Sequence, residues 1–380
     1  MRHSPLGASG AERWMHCPGS IALLQHLGVT IETDEPSYRR DGQTAHAGAL
    51  WCLENNADAW ECIGNGFDGN EFTADMALGV QVYLDAVRAD ITPNSVTYFE
   101  QQIEDQAVHH DFYGTTDCGV VEGEWLIVSD YKNGAGIPVD VKGNPQIRYY
   151  AYGLLRKVQD PRVKWVRLRI VQPNAFHPEG QIREDEISAD DLCRWAEAEL
   201  VPAMRRTESD GSLEPGSHCR FCPAKLLCPA MRGLFGAIAE ADAASAKELT
   251  DEELGRQYAL TEAVRIYIKA LGEEAYRRLL QGKAVPGAKL VESKSDRAWK
   301  DGAAERFLAE FGDKALTTPE LLSPAKMEKL PGAAALVKEW AFAPKKGFTV
   351  DLATSKRRAV TVTTASTAFK DYAEHMEEVA

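Results

Sequence analysis

Asp117, in the stretch GTTD, and Asp130 and Lys132, in SDYK, sit in or at the ends of two consecutive runs rich in apolar and β-branched residues. Residues two apart in a strand share a face, so Asp130 and Lys132 point the same way. If the two runs pair, Asp117 comes up against Asp130. Two carboxylates and the main-chain carbonyl of Tyr131 then form a hard, oxygen-rich pocket suited to Mg²⁺ or Mn²⁺. A metal held there can neutralise a scissile phosphodiester and lower the pKa of an attacking water. Lys132 could orient or deprotonate that water, or stabilise the developing charge. Gln146 and Tyr150 form an i, i+4 pair on the helix that follows and could hydrogen-bond a DNA phosphate or the lysine. His46, on an earlier helix, offers an imidazole suited to Mn²⁺. Arg39 and Arg40 just before it are candidate phosphate contacts.

Each of these residues also has an ordinary structural reading. A D-x-K triplet arises by chance, Asp117 could cap a turn, and a lone histidine is more often structural. Gln146 and Tyr150 could be a helix face packed on a sheet. The order along the chain sets them apart: His on a helix, G-x-x-D, D-x-K after an apolar strand, then Q-x-x-x-Y.

A second constellation lies downstream in HCRFCPAKLLCPA, where Cys219, Cys222 and Cys228 are spaced C-x2-C-x5-C. Three thiols cannot all pair as disulfides, and a tetrahedral site wants four ligands. Of the five other cysteines, only Cys17 is followed by proline, as Cys222 and Cys228 are. Cys-Pro recurs in iron–sulfur ligation runs, and proline suits a chain turning sharply away from a cluster. Cys17 is therefore the expected fourth ligand. Zinc is the competing reading; it would favour two close pairs, and His218 could complete a Cys3His set only with awkward adjacent geometry. Buried cysteines without a ligand are the third.

The elements that must position these groups are legible in outline. Ser9-x-x-Glu12 reads as a capping box for a short helix ending near Pro18–Gly19. Helices are expected over about 42–55 and around DMALGVQVYLDAVRAD. Strands are expected at 96–104, 112–121 and 125–132, the last buried on both faces. A turn-rich loop, 133–145, leads into the helix QIRYYAYGLLRKV. The stretch 163–173 alternates as a half-buried strand with Arg167 and Arg169 on one basic face. Ser188 caps a helix carrying Leu192, Trp195, Ala196 and Leu200. Beyond about 240 the texture becomes Ala-, Glu- and Lys-rich and helical, with one strand-like piece at 288–300 and a polar tail expected to be partly disordered.

Composition is that of a globular protein, 44% hydrophobic and 26% charged. No run is apolar enough to span a bilayer and the N-terminus lacks a signal-peptide core, so a cytoplasmic protein with reduced thiols is expected. A net charge of −14 argues against non-specific coating of DNA, but a channel needs only local positive charge.

The ordered set resembles the RecB-type branch of the PD-(D/E)XK nuclease superfamily, in particular members with an iron–sulfur staple such as AddB-type helicase–nucleases and the CRISPR-associated exonucleases of spacer acquisition. The resemblance covers about residues 9 to 232, and the ERWMHCPGS and GNPQIRYYAYG stretches also look like a phage- and prophage-associated group. It implies His46, Asp117 and Asp130 as metal ligands, Lys132 as the catalytic lysine, and Gln146 and Tyr150 as the family's Q-x-x-x-Y. Cys17, Cys219, Cys222 and Cys228 would hold a structural [4Fe-4S] cluster. The implied fold is α/β (α+β), a restriction-endonuclease-like core of a mixed central sheet flanked by helices, spanning 1–235. A mainly helical lobe follows over 240–380. No G-x-x-x-x-G-K-[ST] motor motif is present. The implied activity is Mg²⁺- or Mn²⁺-dependent DNA hydrolysis, exonucleolytic, in phage-type recombination, replication or repair, with DNA and a phage single-strand annealing protein as partners. The basic run from Arg277 to Lys300 is a candidate DNA-facing surface or a solvated face. The alternatives are a non-catalytic DNA-binding or scaffold protein on the same fold, and a zinc-stapled protein with other chemistry.

Overall fold

The computed structural model of the chain describes residues 4–29, 37–67, 69–134, 136–239, 250–293, 298–317, 320–328, 332–342, 347–352 and 358–360. A 3₁₀ turn, Ala8–Gly10, runs straight into helix α1 (Ala11–His16). Ser9 is therefore inside the turn rather than at a cap, and α1 starts behind Gly10 with no side-chain cap. Pro18 does not end the helical run either. It is the N-cap of α2 (Gly19–Leu27), where its restricted φ suits a helix start, and α2 closes on left-handed Gly28. Helix α3 (Ser37–Asn55) begins earlier than expected. A small hairpin, β1 (Gly66–Phe67) with β2 (Asn70–Glu71), precedes α4 (Ala74–Arg88), which is capped by Thr73.

The centre is a five-stranded mixed sheet flanked by helices. Its strands are β3 (Val96–Glu104), β4 (Tyr113–Glu122), β5 (Trp125–Tyr131), β6 (Trp165–Val171) and β7 (Ile182–Ser188), in that spatial order. All neighbours are antiparallel except β5 and β6, which are parallel and joined through α5 (Pro145–Val158). Asn144 fixes the start of α5 by accepting from the Gln146 and Ile147 N–H groups, and Pro145 occupies the first turn.

Period-two alternation assigns the strands' side chains to two cores. Leu126, Val128, Val166, Leu168 and Ile170 pack under α5 with Ile147, Tyr149 and Trp14. On the other face Val120, Ile127 and Tyr131 meet Ala45 and Ala49 of α3 and Val80, Tyr83 and Leu84 of α4. The first four residues of strand β5, Trp125 to Val128, are thus apolar because both faces of the strand are covered.

The basic face expected on β6 is not a solvent face. Arg169 is buried, donates to Glu184 at 2.6 Å and to the Ala86 carbonyl, and pairs with Asp90. Arg167 bonds Glu186 and lies over the Trp125 ring. Both glutamates belong to β7, a strand whose polar IREDEIS sequence carries no apolar alternation and was not anticipated. After it, Ser188 caps α6 (Ala189–Trp195) as expected. A π-helical turn, Ala196–Leu200, then leads into α7 (Val201–Ser209). Pro202 has no N–H to give Ala198, which accounts for the local break in the ladder.

Further on are α8 (Pro229–Ala239), α9 (Asp251–Ala259) and α10 (Thr261–Leu280). The chain forms two compact units, 1–267 and 268–380. The division falls later than the expected 235/240 because Met231, Ala263, Ile266 and Tyr267 pack around Cys219 and Cys228. The second unit is mainly helical around Phe307, Met327, Leu336 and Val337. Its strand-like 288–300 stretch is two short strands, Ala288–Glu292 and Ala298–Trp299, the first paired with Phe348–Leu352. The tail beyond 360 lies outside the described residues.

Candidate functional site

The β4–β5 pairing carries Asp117 to Asp130, because the ladder registers Cys118 with Ser129 immediately beside them. Asp117 Oδ2 accepts the Tyr131 N–H at 2.8 Å and lies 3.6 Å from His46 Nδ1. Helix α3 delivers His46, whose ring stands edge-on to Tyr131 with centroids 5.4 Å apart.

Glu100 completes this group and was not foreseen. Its Oε1 is 3.9 Å from His46 Nδ1, and one ligand atom each of His46, Glu100 and Asp117 lie within 4.8 Å of one another. In sequence it is one polar residue of VTYFEQQIE, with nothing to distinguish it from an exposed strand position. In the fold the pairs Phe99–Cys118 and Gln101–Thr116 bracket it, so it stands opposite Asp117. It does so at φ 42°, a left-handed conformation rare for glutamate and costing about 1–3 kcal/mol, of the kind that collects at functional sites. Burial first, and then the charge of Asp117, push its carboxyl up to about 8.

Asp130 is 3% exposed. Its Oδ1 accepts from Lys132 Nζ at 3.3 Å and from Gln146 Nε2 at 3.2 Å. Its Oδ2 is 2.9 Å from the same Nζ, so both oxygens of the buried carboxylate face the ammonium. Burial raises the pKa of Asp130 against the opposing pull of Lys132. Gln146 Oε1 in turn accepts from Lys132 Nζ at 3.0 Å, so this amide is occupied in clamping the lysine. Tyr150 is half-buried one turn further along α5, and burial, ahead of the charges of Asp130 and Asp117, holds its hydroxyl protonated. The close carboxylates, the strained glutamate and the wholly nitrogen and oxygen donor set together fit a hard divalent cation.

A buried polar network sets the loop behind Lys132. Gln172 Nε2 donates to the carbonyls of Gly134 and Ile137. Arg183, 1% exposed, donates to Gln172 Oε1 and to the Val139 carbonyl. Of the expected phosphate contacts, Arg40 is exposed and the side chain of Arg39 lies outside the described residues. The basic run in the second unit is partly neutralised, with Arg277 and Arg278 both bonded to Glu274.

The four expected cysteine ligands are brought together. Cys17, Cys219, Cys222 and Cys228 are all buried and line one cavity with Arg13, Ser20, His218 and Lys225. The N–H groups of Glu214 and Gly216 point at the Cys17 and Cys219 sulfurs, each at 3.4 Å. Burial pushes the Cys219 thiol up to about 11 and raises Cys17 and Cys222 as well, so empty thiols there stay protonated. His218 sits on the same wall, its Nε2 2.7 Å from the Glu214 carbonyl.

One more histidine cluster, His109, His110 and Asp111, has ligand atoms within 4.8 Å. The Asp111 N–H donates to His109 Nδ1, which puts the proton on Nε2, facing Glu208 at 3.1 Å. That leaves no lone pair on His109 for a cation.

The site and sheet define a mixed α/β protein with a carboxylate–lysine centre and a separate cysteine clasp. The family described as "Protein of unknown function (DUF2800)" matches residues 3–357, and the chain belongs to it. No helix among the described residues is long and apolar enough to cross a membrane.

Proposed function

We propose that this chain is an Mg²⁺- or Mn²⁺-dependent deoxyribonuclease, acting as an exonuclease, whose cysteine clasp holds a structural [4Fe-4S] cluster. The observation that carries the first part is the buried Asp130–Lys132 ion pair, with His46, Glu100 and Asp117 grouped across the strand. His46, Asp117, Asp130 and the Tyr131 carbonyl would hold the ion, with Glu100 as a further carboxylate. When bound, such an ion neutralises the scissile phosphate and makes a hydroxide accessible near neutral pH.

The chain's own groups do the rest. The Lys132 ammonium, clamped between Asp130 and Gln146, orients the attacking water and stabilises charge building on the phosphate. Gln146 acts through the lysine and does not contact DNA. The neutral Tyr150 hydroxyl is available as a donor to a phosphate oxygen. The convergence of Cys17 with the C-x2-C-x5-C run on one buried cavity supports an iron–sulfur core. Phage-type recombination, replication or repair, beside a single-strand annealing protein, is the setting this reading implies.

The test is anaerobic purification followed by digestion of end-labelled linear and circular DNA with Mg²⁺ or Mn²⁺. Linear DNA shortened from its ends with circles spared is expected. Intact linear DNA with both metals contradicts the proposal, and cut circles contradict the exonuclease part.

A further inference from the structure

Arg13 lies in α1, four residues before Cys17, and lines the cysteine cavity at 7% exposure. Its Nη1 donates to the buried Ser20 hydroxyl at 3.0 Å, and it has no carboxylate partner among the described residues. Glu214, the acidic residue on the cavity wall, is exposed and turns toward Arg206. A buried guanidinium without an anion is strongly disfavoured. It shares the cavity wall with all four thiols, Cys17, Cys219, Cys222 and Cys228.

Ionising four thiolates around a core of two positive charges leaves two negative charges in the cavity, whether the core is a zinc ion or an oxidised four-iron cluster. Arg13 supplies one opposite charge. Lys225, half-buried on the same wall and anchored to the Arg220 carbonyl, supplies a second at the rim. We propose that Arg13 is the built-in counter-charge of the cysteine site, stabilising the metal-loaded clasp while destabilising the empty one. The inference rests on the cysteine site being loaded, as read above, and goes beyond it by assigning a residue that controls loading and potential.

Arg13→Gln and Arg13→Lys in the full chain test it, each also combined with Cys17→Ser, which empties the site. In the loaded protein Arg13→Gln should lower Tm, release metal at least about tenfold faster to a chelator and move the midpoint potential of an iron cluster to more negative values. In the Cys17→Ser background the same substitution should raise Tm, because an unpaired buried cation is removed. Arg13→Lys should stay close to wild type in both backgrounds. A merely structural arginine would lower Tm in both, and that result overturns the proposal, as does an unchanged release rate. If Arg13→Gln alone does not fold, the Tm of the double variant against Cys17→Ser decides. Wild-type protein holding zinc sinks the iron reading while the reversal of sign still tests Arg13. Protein with neither metal overturns both.

Discussion

The two ligand sets of this chain are built in opposite ways. The carboxylate centre is assembled from adjacent strands of one sheet: Asp117 and Asp130 meet through β4–β5 pairing, and α5 returns Gln146 to the same end. It is assembled without a cation, with strain at Glu100 and the Asp130–Lys132 pair already in place. The cysteine set instead joins Cys17 to three residues some two hundred positions later. Those segments meet through the Gly19 N–H on the Ser212 carbonyl at 2.9 Å, the stacked rings of His16 and His218, and a small apolar cluster of Leu24, Cys222 and Ala224. One set is scaffolded by the sheet and, on the proposed function, serves chemistry. The other itself supplies the scaffold.

That contrast sets the sizes of its tests. Cys17→Ser should have the largest effect on stability. It should lose the metal of the clasp and a substantial part of the folding free energy of the first unit, while the sheet's far-ultraviolet signature persists. A variant that keeps both its metal and its Tm would show that the clasp is not one.

Glu100→Gln should leave Tm at pH 6 nearly unchanged and weaken Mn²⁺ binding by about 10–100-fold. The pH dependence sharpens this. The folded chain holds the Glu100 proton up to about 8, whereas the unfolded chain releases it near the ordinary 4.5. The native state therefore binds more protons between those values, and metal-free stability falls as pH rises through the window and levels off above it. Asp130, raised in the same direction, adds to the slope. Tm of metal-free protein at pH 6 and pH 9 should differ by a few degrees, with Glu100→Gln flattening the difference and Mn²⁺ removing it. A metal-free Tm that rises with pH contradicts the assignment.

Gly19→Ala should be smaller and confined to the clasp. A Cβ at Gly19 would fall 2.6 Å from the Gly211 carbonyl carbon and the Ser212 oxygen, backbone atoms that cannot step aside cheaply. A loss of about 1–3 kcal/mol is expected, read as a lower Tm together with faster metal release. Gly119→Ala, where the added carbon meets the flexible tip of Leu154, should cost less. Equal losses at the two positions would remove the distinction between clasp and sheet.

Much of this was legible in the sequence where residue type and strand period coincide. Asp130 and Lys132 follow an apolar run that suits a strand covered on both faces, and Cys-Pro singled out Cys17. Hidden were features that depend on partners distant in sequence. Glu100 looks like any polar strand residue until its backbone turns it against Asp117. Arg169 reads as an exposed base until Asp90 and Glu184 enclose it. Strand β7 is held by charge pairing to β6 in place of an apolar face, so hydrophobic periodicity could not find it. Arg13 resembles an ordinary surface arginine of a short helix, and only the cavity behind it gives it a role.

The most direct test of the account compares wild-type protein with Asp130→Asn and Lys132→Met on linear DNA in Mg²⁺ and in Mn²⁺, with Tm measured alongside. The account predicts metal-dependent digestion by wild type and a loss of at least about 10²–10³-fold in both variants, each still folded and still carrying its cysteine-bound metal. Digestion by both variants at the wild-type rate would contradict it.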